Sequence, residues 1–209
     1  MTTIDGYERT HLCALAEQLG PDAPTLCEGW TVRDLVVHLL VRERSLAAAG
    51  IVIPALEGWM DRVSERRARE DFHHLVSQLR NGPPVLSLYA VPKLGAALNT
   101  LEYFVHHEDI RRAQPGWKPR QLPAKVEDAL WRAVRHAGRG LTATAPVGVA
   151  AARSDTGDET TFKSGDGVVL RGLPSELVIY VFGRKEQSLV EVTGKPEHVQ
   201  AMQDKPLGI

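Results

Sequence analysis

Apolar residues recur at helical spacing over four long segments in the first part of the chain, a pattern that predicts amphipathic helices. These segments cover residues 5–20, 31–49, 56–79 and 93–113. Thr31 is the predicted N-cap of the second helix because Asp34 follows it in the first turn. Four amphipathic helices joined by modest loops predict a helical bundle, and facing helices of bundles often hold metal sites.

After Pro123 the pattern changes. One more helix is predicted, and short apolar runs then alternate with glycine-containing turns, which is typical of strands. The predicted helices cover residues 123–140, 173–182 and 197–202, and the predicted strands cover 147–151, 168–170 and 189–193. The expected fold class is therefore α+β, with a helical bundle domain over residues 1–140 and a small α+β module over residues 141–209.

Composition excludes several function classes. The 209 residues are 43% hydrophobic and carry a formal net charge of −1, so a nucleic-acid partner, which favours a basic surface, is not expected. No segment approaches the roughly 20 apolar residues that cross a bilayer, so no membrane association is expected. The first residues lack the basic and apolar pattern of a signal peptide, and a cytoplasmic location is expected. No exposed apolar seam requires a homodimer, and the sequence leaves that state open.

The stretch from Glu102 to His106 carries the most specific chemistry, because residues four apart on a helix lie on the same face. A carboxylate and an imidazole so placed can bind one divalent cation. Asp109, three residues further on, is expected to accept a hydrogen bond behind the site or to add a ligand. A hydrogen bond between Glu102 and His106 on a helix surface would explain the same spacing without metal.

A third ligand must come from another helix, and His38 on the second helix is the candidate. Asp34 and Arg42 flank it at helical spacing, and Asp34 is expected to orient the His38 ring. Cys13 and Cys27 are the two cysteines, and nothing in the sequence demands a disulfide between them. Cys13 is expected to be buried, and Cys27 is a less favoured ligand because no second motif accompanies it.

Two stretches, 26–39 and 102–112, resemble the actinobacterial branch of the DinB-like superfamily, the group related to mycothiol-dependent maleylpyruvate isomerase. The resemblance implies a DinB-like four-helix bundle and one metal, usually zinc, held by His38, Glu102 and His106. Residues 172–184 resemble the C-terminal helix of that family, which ends in Gly-Arg. There the arginine is implicated in the active site, which makes Arg184 a candidate for anion binding.

The resulting functional prediction is a metal-dependent thiol transferase or thiol-assisted isomerase, with mycothiol as the thiol and a small electrophile as the second substrate. Zinc is the expected metal, and nickel and iron suit the same ligands. Arg42 and Arg184 are expected to bind anionic groups, and Asp109 is a candidate catalytic residue. Two alternatives remain: a hydrolase that uses metal-bound water, with Asp109 or His107 as base, and a metal-binding or small-molecule-binding protein without catalysis.

Overall fold

The computed structural model of the protein describes residues 3–44, 57–83 and 96–207. Within these ranges the helices are α1 Ile4–Leu19, α2 Val32–Arg44, α3 Glu57–Ala68, α4 Phe72–Arg80, α5 Ala96–Arg112, α6 Ala124–Leu141, α7 Pro174–Val181 and α8 Pro196–Asp204. The strands are β1 Gly148–Arg153, β2 Glu159–Lys163, β3 Gly167–Gly172 and β4 Glu191–Gly194. The predicted α+β class, with a helical N-terminal part, is confirmed. Among the described helices, none combines the length and hydropathy needed to cross a bilayer.

The structure differs from the predicted elements in two places. The single helix predicted over residues 56–79 is wrong, because α3 ends at Ala68 and Asp71 starts α4 by accepting a 2.9 Å hydrogen bond from the His74 backbone N–H. Aspartate is a favoured N-cap because its side chain satisfies a backbone donor of the first turn. Strand β2 was not predicted from its largely polar sequence. The predicted ends of helices near residues 49 and 93 lie outside the described residues.

The chain divides into two compact units. The first, here called the helical unit, comprises residues 1–99 and 106–118, and the second, here called the sheet unit, comprises residues 100–105 and 119–209. Helix α5 is continuous, so its own backbone fixes its residues relative to one another. The domain boundary predicted after residue 140 stays a prediction.

In the helical unit α1 packs against α4, and α2 packs against α3 and α4. The contact surfaces contain fully buried leucines, and also a buried ion pair. The Arg9 guanidinium donates to both carboxylate oxygens of Glu43, at 2.8 and 2.5 Å, and to the Leu79 carbonyl at 3.0 Å. One arginine thereby joins α1, α2 and the end of α4.

The sheet unit contains four strands in the order β2-β1-β3-β4. Strands β1 and β3 are parallel, and the two outer pairs are antiparallel. Gly148 and Gly167 face each other at the start of the parallel pair, where a Cβ on Gly167 would lie 1.9 Å from the Gly148 carbonyl oxygen. Gly138 of α6 likewise accommodates the Phe162 ring, since a Cβ there would lie 2.3 Å from it. Buried apolar side chains from α5, α6, α7, α8 and the strands form a cluster in this unit.

Candidate metal centre

Helix α2 begins at Val32, six residues before His38. The backbone N–H and the hydroxyl of Thr31 donate to the same Asp34 carboxylate oxygen, at 2.9 and 2.7 Å. These bonds fix the entry of the chain into the helix. This carboxylate caps the start of α2, and the expectation that Asp34 orients the His38 ring stays a prediction.

His38, Glu102 and His106 each place one ligand atom within 4.8 Å of the ligand atoms of the other two. Glu102 and His106 are one turn apart on α5, and the His38 and His106 rings meet edge to face at 5.3 Å between centroids. His106 is buried, and the other two are half-buried. Two imidazole nitrogens and one carboxylate oxygen so gathered suit a divalent cation. We call these three residues the primary cluster.

Asp109 lies directly behind His106. Its carboxylate is fully buried, and one of its oxygens lies 3.0 Å from His106 Nδ1. An ionised carboxylate only accepts hydrogen bonds, so this contact assigns the hydrogen of the neutral ring to Nδ1. The lone pair on Nε2 is then available to a cation, which is the usual arrangement of a carboxylate behind a metal-bound histidine. Asp109 accepts the hydrogen bond that its sequence position predicts.

Cys27 reaches the same carboxylate from the loop before α2. Its thiol donates to the Asp109 Oδ2 atom at 3.3 Å, and the Leu26 backbone N–H donates to the Asp109 carbonyl at 3.1 Å. Cys27, His106 and Asp109 also place one ligand atom each within 4.8 Å of one another. Sequence reasoning missed this association because 82 residues separate Cys27 from Asp109 and no local motif signals it.

Trp30 forms part of the surroundings of His38. Its ring is partly exposed and lies 5.1 Å from the His38 ring, centroid to centroid, with the two planes tilted by 50°. An aromatic side chain in this position limits the movement of the imidazole and supplies an apolar wall.

The two arginines predicted to bind anions have different surroundings. Arg42 follows His38 by one turn of α2, is buried, and donates to the Asn99 side-chain oxygen at 3.0 Å. Arg184 lies in the sheet unit at the start of a short 3-10 helix, Lys185–Gln187, and its guanidinium donates to the Phe182 carbonyl. The role of each in binding anions stays a prediction.

His107, the next residue on α5, points elsewhere. Its Nδ1 atom lies 2.6 Å from the carboxylate of Glu8, and both side chains are buried. Neither group of metal-ligand atoms found among the described residues includes it. A rotation of about 100° per residue separates neighbouring side chains on a helix, which accounts for the different direction.

Comparison with known proteins agrees with the resemblance of the motifs. Residues 8–111 match the family model for the mycothiol maleylpyruvate isomerase N-terminal domain. This match includes His38, Glu102 and His106. No curated protein sequence matches the chain.

Two solved structures share the fold over nearly the whole chain. The mycothiol-dependent maleylpyruvate isomerase aligns with a TM-score of 0.60 and 16% identity, covering 92% of this chain and 91% of its own. A histidine-to-alanine mutant of that enzyme aligns with a TM-score of 0.61 and 15% identity, at the same coverage. Residues 8–111 therefore make this chain a member of the mycothiol maleylpyruvate isomerase N-terminal domain family, and the chain as a whole has the fold of that isomerase.

Proposed function

We propose that this protein is a mycothiol-dependent isomerase or S-transferase that acts on a small electrophile through a divalent metal held by His38, Glu102 and His106. The observation that carries the proposal is the convergence of these three side chains within 4.8 Å. They come from two helices of a domain whose family is named for a mycothiol-dependent reaction.

The donor set fits a catalytic metal better than a structural one. Structural zinc sites use four protein ligands, whereas catalytic sites use three and leave one position open. Zinc is the proposed metal because it accepts imidazole and carboxylate together, and nickel and iron accept the same donors. When bound, such a cation supplies positive charge that favours the thiolate form of a thiol at the open position.

The surrounding residues have separate proposed roles. Asp109 is a positioning residue, because it acts on the site through the Nδ1 atom of His106. Arg42 is proposed to bind an anionic group of the thiol or substrate, and its contact with Asn99 holds the guanidinium in a fixed orientation. Arg184 is proposed for a second anionic group, on the strength of the C-terminal Gly-Arg motif.

Metal analysis tests the foundation of this proposal. Purified wild-type protein should contain about one equivalent of divalent metal, as expected of a three-ligand catalytic site. His38→Ala, Glu102→Gln and His106→Ala should each contain little. His136→Ala is the matched control, since His136 is an exposed histidine whose ring bonds to the Arg132 carbonyl on its own helix. Wild type that stays metal-free after incubation with zinc, nickel or iron would contradict the proposal.

A substrate screen tests the reaction class. Metal-loaded protein is incubated with mycothiol and a panel of small electrophiles, including cis-configured unsaturated acids, with and without the thiol. Product that forms only when mycothiol is present supports a thiol-dependent reaction, and regeneration of the free thiol identifies an isomerase. Turnover without thiol would support hydrolysis by metal-bound water, and metal binding without any turnover would support a binding protein.

A further inference from the structure

Cys27, Asp109 and His106, here called the thiol cluster, form a second group of metal-ligand atoms in the helical unit. The Cys27 sulfur and the His106 Nδ1 atom both contact the same Asp109 oxygen, at 3.3 and 3.0 Å. The group offers one sulfur, one nitrogen and one oxygen donor. The primary cluster offers no sulfur, so the two groups differ in the cations that they favour.

The spacing of these donors is close to what a bound cation requires. Zinc bonds of about 2.3 Å to sulfur and about 2.0–2.2 Å to nitrogen and oxygen place tetrahedral ligands roughly 3.3–3.6 Å apart. The sulfur-to-oxygen distance is 3.3 Å, the nitrogen-to-oxygen distance is 3.0 Å, and all three atoms lie within 4.8 Å of one another. A cation therefore needs only small side-chain shifts to enter.

The backbone already holds the three donors together. His106 and Asp109 are three residues apart on α5, and the loop that carries Cys27 is tied to the same helix by the bond from Leu26 N–H to the Asp109 carbonyl. A second bond joins the Gln114 side-chain amide to the Pro24 carbonyl in this loop. Cys27 is half-buried, so an ion can approach the sulfur without unfolding of the core.

We propose that the thiol cluster is a second metal position, selective for soft divalent cations such as cadmium, and that its occupation inactivates the primary cluster. The cation replaces the thiol hydrogen of Cys27, which leaves as a proton, and binds the sulfur, an Asp109 oxygen and His106 Nδ1. A neutral imidazole offers one nitrogen lone pair while its other nitrogen holds the hydrogen. His106 therefore serves one position at a time.

Absorption spectroscopy tests the second position directly. Metal-free, full-length protein is titrated with cadmium chloride, and the ultraviolet charge-transfer band of a cadmium–thiolate bond is followed. The band should appear in wild type, disappear in Cys27→Ser, and persist in His38→Ala, which lacks only a ligand of the primary cluster. Asp109→Asn should weaken cadmium binding, because it removes the anionic oxygen that the sulfur and the imidazole both contact.

Cys13→Ser is the matched control for the thiol. Cys13 is fully buried in α1, and burial raises the pKa of its thiol to about 12, so it should contribute nothing to the band. A second readout needs no variant: cadmium should slow the alkylation of Cys27 in wild type by iodoacetamide, as located by peptide mass spectrometry. This measurement applies even where Cys27→Ser fails to fold.

The outcomes are distinct. A cadmium-bound wild type without the thiolate band, or with unchanged alkylation of Cys27, would overturn the second position. Loss of the band in His38→Ala would also overturn it, because Cys27 would then serve the primary cluster. The site itself is independent of the proposed function, whereas the inactivation rests on it. Zinc content that is unaffected by Glu102→Gln would reject the primary cluster while leaving the cadmium result in place.

Discussion

The helical unit and the sheet unit both bury apolar side chains, but they differ in how many ionisable side chains they bury. The helical unit buries many ionisable groups, among them Glu8, Arg9, Arg42, Glu43, His106, His107, Glu108, Asp109 and Arg112. The sheet unit buries fewer such groups, among them Glu127, Arg153 and Glu176, beside an apolar cluster built from α5, α6, α7, α8 and the sheet. Burying ionised groups costs free energy unless each finds a partner, whereas burying apolar groups lowers the free energy of the folded state. The comparison places most of the described buried ionisable groups in the helical unit.

The segment of α5 from His106 to Arg112 shows how the helical unit supports its charges. His106 contacts Asp109, and His107 contacts Glu8. Glu108 accepts from Arg111 at 3.0 Å and from Arg112 at 2.6 Å. The acidic and basic groups of this segment thus have named partners, and only the pair of His106 and Asp109 belongs to a metal-ligand cluster.

The largest expected effect is a loss of stability when a core side chain of the sheet unit is shortened. Phe162→Ala should lower the free energy of unfolding by about 3–5 kcal/mol, because it removes a buried ring and leaves a cavity against Gly138. Urea denaturation followed by circular dichroism measures the loss, and Phe162→Leu should lose less. Metal content of the folded fraction should stay unchanged. A parallel fall in metal affinity would show that metal binding depends on the packing of this core.

A similar loss of stability is expected when a single buried charge of the helical unit is removed. Glu43→Ala should lower the free energy of unfolding by about 3–5 kcal/mol, because the Arg9 guanidinium is left buried without its carboxylate. The double variant with Arg9→Met and Glu43→Leu should recover most of the loss, since it removes both charges. Thermal and urea unfolding of the three proteins measure this. A double variant as unstable as Glu43→Ala would show that the ion pair does more for stability than neutralise two buried charges.

Asp109 and Glu108 are neighbours on α5, and their substitutions should differ in their effect on metal affinity. Asp109→Asn should weaken metal binding by about 10–100-fold, because a neutral amide holds the His106 ring less firmly. Glu108→Gln should lower stability without changing metal affinity, since its partners are arginines. Competition with a metal chelator measures the affinity of both. Equal losses of affinity would indicate that the metal site depends on the whole charged turn.

The smallest expected effects are changes of stability with pH that arise from two carboxyl groups of the sheet unit. Burial raises the pKa of Glu127, against the lowering effect of the hydrogen bonds from the Ser175 N–H and hydroxyl. Its protonated form therefore contributes stability below the unfolded-state pKa, and this contribution is lost as pH rises through the folded-state pKa. The unfolding midpoint of Glu127→Gln, relative to wild type, should rise from acid to neutral pH. Carbon NMR titration of the carboxyl group measures the pKa itself.

The pKa of Asp155 is shifted in the direction opposite to that of Glu127. A side-chain hydrogen bond from Arg153 holds the pKa of Asp155 below its usual range. Its ionised form stabilises the protein above the unfolded-state pKa, and this contribution is lost as pH falls through the folded-state pKa. The same NMR titration should therefore separate the two carboxyl groups in opposite directions. Shifts in the same direction for both would contradict the assignment.

Local sequence predicted most of the fold and the primary cluster, and long-range contacts account for the remainder. The spacing of Glu102 and His106 fixes their shared face on α5, because helix geometry alone determines it. The break between α3 and α4 depends on a single capping carboxylate at Asp71. Strand β2 depends on its pairing with β1, since its own sequence is mostly polar. The contact of Cys27 with Asp109 depends on folding that no local pattern encodes.

The buried turn of α5 also constrains how the sequence can change over evolution. His106 and Asp109 contact each other on one side of this helix, and His107 contacts Glu8 on another. Inserting or deleting one residue before this turn rotates it by about 100° relative to Glu102, which separates the two metal-ligand candidates on α5. The shared face required of Glu102 and His106 therefore fixes the number of residues between them, and it leaves the identities of those three residues to the packing on the other faces of the helix.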